Sequence, residues 1–258
     1  MKKLLLILQV VGYNYALFGQ NEMANNVQFS LLSSTASQGT ELKNSFLNQN
    51  FSSILKQTNN NSVIGYIGSN FERFQIKFTT IKKYPYPYAS SLVYTVQGQT
   101  KTKKGIAAFY GKITIANIMA LQTDDTNIES QLKYQIVGNY KLKEYRNHKY
   151  IGVYEGQFSS LFATSSDSLH YIENIKSEDN TYSNNQFEGT YKSYYNIAVM
   201  PCNWGNQRIP NSNNLDVGLT EFVPAPQYLK NGWQTYFDAY INNKPLALKE
   251  ENKKWWWQ

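Results

Sequence analysis

Leu132-Lys133-Tyr134-Gln135-Ile136-Val137-Gly138-Asn139-Tyr140-Lys141-Leu142-Lys143 is the stretch on which the fold turns. Leu132, Tyr134, Ile136, Gly138, Tyr140 and Leu142 alternate with Lys133, Gln135, Val137, Asn139, Lys141 and Lys143. Successive side chains of an extended chain point to opposite faces, so this pattern predicts a strand with one apolar face and one largely wet face. Strands of parallel sheets are covered on both faces, and the alternation therefore indicates an antiparallel sheet. The same period recurs in Phe74/Ile76/Phe78, Leu92/Tyr94/Val96/Gly98, Phe109/Gly111/Ile113/Ile115, Tyr150 to Phe162 and Phe187 to Ile197.

A smaller unit sits inside these strands: a large apolar residue, any residue, glycine, any residue, a large residue. It occurs as Val63 to Ile67, Phe109 to Ile113, Ile136 to Tyr140, Tyr154 to Phe158 and Phe187 to Tyr191. Glycine weakens a strand interior, so its return points to a geometric need: a bend, a bulge, or room for a neighbouring ring. Closing a sheet into a barrel creates that need. The expectation is an all-β, mainly antiparallel meander that closes into a β-barrel or strongly curved sheet, with an N-terminal helix; a β-sandwich is the alternative.

Two of the units, Tyr154-Glu155-Gly156-Gln157-Phe158 and Phe187-Glu188-Gly189-Thr190-Tyr191, resemble the opening of the MORN repeat, without its later glycines and at irregular spacing. The layout of strands resembles lipocalin-like (calycin) barrels, which implies an interior ligand cavity. The leader, the Asn- and Tyr-rich strands and the Cys202-Asn203-Trp204-Gly205 to Ile209-Pro210-Asn211 stretch together resemble an uncharacterised family of exported bacterial β-rich proteins. No activity comes with that resemblance.

Outward from the strands, Met1-Lys2-Lys3 and the apolar run Leu4 to Val11 read as a secretory signal peptide over residues 1–19. The run is too short to span a bilayer, and no transmembrane segment is expected later in the chain. Residues 20–59 form a polar segment in which Leu42, Phe46, Leu47, Phe51, Ile54 and Leu55 line one face of a helix. The antiparallel domain is expected over 60–223, and Val217 to Val223 reads as its last strand. Residues 224–258 form an aromatic C-terminal segment, packed on the domain or partly disordered, with a turn of helix at Trp233, Tyr236, Phe237 and Tyr240.

Composition narrows the function classes. With 41% hydrophobic and 15% aromatic residues among 258, the chain can fill a core. The net charge of +7 is spread along the sequence, and nucleic acid is not expected as a partner, because backbone binding needs a concentrated basic stripe. A single cysteine, Cys202, forms no internal disulfide. Two histidines, His148 and His170, lie on different segments without ligand spacing, so neither a metal nor another cofactor is expected. Asp216 and Glu221 are the least implausible glycosidase pair, yet an odd separation puts them on opposite faces of a strand, and Asp216 suits an Asx turn better.

Candidate binding residues follow from loop composition. The stretch 201–216 and Tyr84-Pro85-Tyr86-Pro87-Tyr88 offer flat rings together with paired hydrogen-bonding groups. Trp204, Arg208, Asn203, Tyr86 and Tyr88 are the expected ligand-binding residues. The expected function is an exported, non-enzymatic binding protein for a small apolar or glycan ligand in periplasm, cell surface or medium. A structural or adhesion module with a protein partner, and a glycan-cleaving enzyme, are the alternatives. Equally open is a wholly structural role, with Trp204 plugging the core and Arg208 satisfying carbonyls.

Overall fold

The computed structural model describes residues 41–56, 63–85, 92–121, 132–145, 151–165, 168–172, 184–253 and 256. Among the described residues nine strands are formed: β1 (Val63–Ile67), β2 (Glu72–Lys83), β3 (Leu92–Thr102), β4 (Gly105–Ala120), β5 (Leu132–Glu144), β6 (Gly152–Ser165), β7 (Ser168–Tyr171), β8 (Asn184–Ser193) and β9 (Val199–Asn206). All pairings are antiparallel. The order β5-β4-β3-β2-β1-β9-β8-β6 is closed by a β5–β6 pairing, giving an eight-stranded barrel. Short β7 continues the β6 edge beyond the point where β8 leaves it.

The alternating residues face inward and fill the barrel, except that β8 ends at Ser193 and leaves Tyr195 and Ile197 of the expected run exposed. Phe74 of β2 meets Tyr154 of β6, four strands away round the wall, at 5.3 Å between ring centroids. Phe78 reaches Phe187 at 5.9 Å and Tyr140 reaches Trp204 at 4.9 Å. Rings from opposite walls thus meet across the interior of the barrel. The interior cavity implied by lipocalin-like barrels is therefore occupied by the chain's own side chains.

The recurrent glycines serve this packing. Gly98 pairs with Phe109 and Gly138 with Phe158. A Cβ at either glycine would stand 2.5 Å or 2.6 Å from the partner's ring, and closer still to a neighbouring carbonyl oxygen. At these two positions the ring occupies the space that a facing side chain would need.

The N-terminal segment plugs one end. The expected single helix is split into a 3-10 turn, Lys43–Phe46, and α1 (Ser52–Lys56). Asn50 is the reason: its Oδ1 accepts the Ser52 N–H at 3.0 Å and so starts a new helix in mid-pattern. Phe51, Ile54 and Leu55 are buried against the barrel core. The Phe51 N–H donates to the Tyr94 hydroxyl, Lys83 Nζ donates to the carbonyls of Leu47 and Gln49, and Asn185 Nδ2 donates to that of Ile54.

The opposite end carries the β1–β2, β3–β4, β5–β6 and β8–β9 connections. Just inside it, Glu144 is 3% exposed and accepts from the Thr100 hydroxyl (2.6 Å), the Tyr154 hydroxyl (2.8 Å) and the Gly152 N–H (2.9 Å).

After β9 the chain covers the outer wall of β1 and β2. Tyr66, Ile209, Leu215, Phe222 and Trp233 form a second apolar cluster there. Gln234–Tyr236 (α2) leads into a π-turn, Phe237–Ile241, and then α3 (Pro245–Glu251). Among the described residues no helix is long and apolar enough to cross a membrane.

Candidate functional site

The residues singled out in the sequence separate once folded. The stretch expected to be a loop at 201–216 begins as β9, whose Cys202 and Trp204 point inward and are fully buried. Trp204 stacks on Phe187 and belongs to the core. Asn203, on the other face of the same strand, accepts the Gly189 N–H and donates to the Tyr66 hydroxyl and the Pro210 carbonyl. Tyr66 in turn donates to the Asn211 carbonyl. Burial pushes the Tyr66 phenol up to about 12.

Arg208 lies farther on and is engaged by its own loop. Its guanidinium contacts Asp216 at 2.6 Å and donates to the carbonyls of Gly218, Leu219 and Glu221. Asp216 Oδ1 accepts the N–H groups of Gly218 and Val223, which is an Asx turn closed further along. The strand expected over Val217 to Val223 is therefore a side-chain-organised turn, flanked by a single bridge between Asp216 and Pro224. Asn203, Trp204 and Arg208 do not converge, because the first two occupy opposite faces of one strand and the third is saturated by a carboxylate and carbonyls. Tyr86, Tyr88 and His148 lie outside the described residues. Among the described residues no group of three His, Cys, Asp or Glu is placed to hold a metal ion.

Concave surface lies elsewhere, on the outer wall. A cleft of about 230 Å³ opens between β2, the end of β3 and the C-terminal segment. Its floor is Arg73 and Gln75, outward residues of β2 that the C-terminal segment buries. Arg73 makes a bidentate pair with Glu251, Nη1 to Oε1 at 2.7 Å and Nη2 to Oε2 at 2.6 Å, with both side chains under a tenth exposed. The guanidinium also lies 5.5 Å from the Trp233 ring centroid and 5.3 Å from that of Tyr236. A planar fork clamped by a carboxylate and two rings has no rotamer freedom left, so the floor is rigid.

The rim is cationic. Lys101, Lys103 and Lys253 line it together with Glu250, which pairs with Lys253, and Lys103 Nζ donates to the Lys230 carbonyl. Against four cations the lining holds two carboxylates, each bound to one of them, so a surplus of two positive charges remains. Lys101 Nζ sits 5.8 Å from the Trp256 ring centroid. Desolvation first, and the Arg73 charge second, hold the Lys101 amine below the usual lysine range. Thr102 and Thr235 complete the polar wall.

Arg73, Gln75, Lys101 and Glu251 do not stand out in the sequence. Arg73 and Gln75 occupy the outward positions of a strand, where polar residues signal only solvent, and the bond from Arg73 to Glu251 spans 178 residues. The eight-stranded antiparallel barrel is consistent with a calycin-like architecture. Compared with protein-family models, curated proteins and solved structures, the chain finds no match.

Proposed function

We propose that the chain is an exported, non-enzymatic binding protein and that its ligand is a short acidic glycan held in the outer cleft. The observation that carries this reading is the cleft's lining: a rigid Arg73–Glu251 floor, amide and hydroxyl groups at Gln75, Thr102 and Thr235, and a cationic surplus at the rim. Sugar hydroxyls need donors and acceptors fixed in place, while a carboxylate or sulfate on the ring answers the surplus charge. The volume is below the roughly 300–1,000 Å³ of drug-sized sites, which suits one ring of a chain that continues into solvent.

The filled barrel removes the reason for an apolar ligand. Both carboxylates of the cleft are engaged by cations, Glu251 by Arg73 and Glu250 by Lys253, so no opposed carboxyl pair flanks a sugar bond as glycoside cleavage requires. Export rests on the leader at 1–19.

Calorimetric titration with an oligogalacturonate and with its neutral galactose counterpart tests the reading. The acidic sugar should bind and the neutral one should bind at least about tenfold more weakly. Lys101→Ala and Gln75→Ala should each weaken binding about tenfold without changing the melting temperature. Equal affinity for both sugars, or none for either, would remove an acidic glycan from consideration.

A further inference from the structure

At the end of the barrel away from the plug, register lines up a row of outward side chains: Tyr110, Lys143, Val153, Lys192 and Val199, on β4, β5, β6, β8 and β9 in turn. Tyr110 stacks obliquely on Tyr145 at 5.0 Å, and each is 44% exposed. Beyond the row, the turn joining β8 to β9 presents Tyr195 and Ile197 at 67% and 92% exposure, next to Val199 of the row at 55%. That turn is shaped by local bonds, the Tyr195 N–H to Ser193 Oγ and the Ala198 N–H to Asn196 Oδ1. Its apolar side chains are therefore spare as far as folding is concerned, and a contiguous exposed apolar tip marks a contact surface.

Charge indicates what it contacts. Lys143 and Lys192 stand in the row, and both are exposed. Among the described residues no carboxylate pairs with either of these two lysines. Glu155 lies one row farther from the tip and pairs with Lys141, and Glu144 is turned into the barrel. Aliphatic side chains at an apex, tyrosines beside them and lysines behind are the order in which a bilayer presents its layers: acyl boundary, headgroup level, anionic surface. A single protruding turn offers little flat area to a protein, whereas lipid requires no complementary shape.

We propose that this end of the barrel docks on an anionic lipid surface, inserting Tyr195, Ile197 and Val199 between headgroups that Lys143 and Lys192 engage. None of these residues lines the glycan cleft, so the two readings fail independently.

Co-sedimentation of the full chain with phosphatidylcholine vesicles, with and without phosphatidylglycerol, provides the test. Binding should require phosphatidylglycerol and fall as salt is raised. Ile197→Ser, and separately the Lys143→Glu/Lys192→Glu pair, should lower the bound fraction roughly tenfold, with melting temperature unchanged because these side chains are exposed. Any contribution from the apolar leader is common to every variant and is subtracted by comparison. Binding that is absent, indifferent to lipid charge, or equal in wild type and both variants would overturn the proposal. So would a solution dimer that Ile197→Ser dissolves, since the tip would then be a protein contact.

Discussion

Trp204 and Phe187 stack at the centre of the barrel, with ring centroids 5.0 Å apart and planes 12° from parallel. Tyr140 and Phe74 close round the same indole at 4.9 Å and 5.6 Å. The indole N–H meets no acceptor among the described residues. Two substitutions separate shape from polarity. Trp204→Ala opens a cavity between these three rings and should cost about 3–5 kcal/mol in urea unfolding. Trp204→Phe keeps the stack and removes a buried donor that lacks a partner, so it should cost no more than about 2 kcal/mol. Equal losses would mean that the stacked ring contributes little.

Glu144 joins three strands through its carboxylate, taking bonds from Thr100 of β3 and from Tyr154 and the backbone of β6. Replacing it by leucine leaves the Tyr154 hydroxyl and the Gly152 N–H buried without their acceptor, each at about 1–3 kcal/mol, while the Thr100 hydroxyl keeps the Ala107 carbonyl. Glu144→Leu should therefore lose about 3–5 kcal/mol in denaturant unfolding, and Glu144→Gln, which keeps an oxygen in place, about 1–2 kcal/mol. A leucine variant as stable as wild type would show that this end of the barrel repacks readily.

What the sequence made readable was local in period. Six alternating residues from Leu132 to Leu142 define one wall of the barrel, and a glycine facing Phe109 or Phe158 is detectable because the unit that contains it repeats. β9 was not readable, since Pro201 lacks a ladder donor and interrupts the pattern, although it pairs with Thr190 at the margin of the sheet. Val217 to Val223 looks extended, yet the Arg208 side chain captures its carbonyls before a neighbouring strand can. The cleft was hidden for a different reason. Residues 73, 101, 235 and 251 carry no shared period, and only packing of the C-terminal segment on the outer wall brings them together.

Arg73 and Glu251 fasten that segment to the barrel, both buried and bonded through two parallel N–H···O contacts. Removing one partner strands the other as an unpaired buried charge, at about 3–5 kcal/mol. Arg73→Met or Glu251→Leu alone should thus raise hydrogen exchange throughout 226–253. The Arg73→Met/Glu251→Leu double variant should recover most of the stability, because apolar side chains suit the surface beside Trp233 and Tyr236. A double variant weaker than the sum of the singles would indicate instead that the rings depend on the guanidinium itself.

Alkali should unfold the chain in one narrow step. Burial raises the phenols of Tyr66 and Tyr94 to about 12, and raises Tyr140 and Tyr154 well beyond the ordinary value near 10. In the folded chain these groups keep a proton that the unfolded chain releases near pH 10. The unfolded state therefore binds fewer protons in that range, and stability falls as pH rises. The contribution is complete below about pH 10 and is lost as pH climbs through 12. Tyr94 adds a local consequence, since its hydroxyl accepts the Phe51 N–H that holds the plug. Phenolate absorbance and far-ultraviolet circular dichroism followed together should change at one pH above 10, with the urea midpoint declining steadily on the approach. Gradual phenolate formation while the strand signal stays intact would show that water reaches these rings inside the barrel.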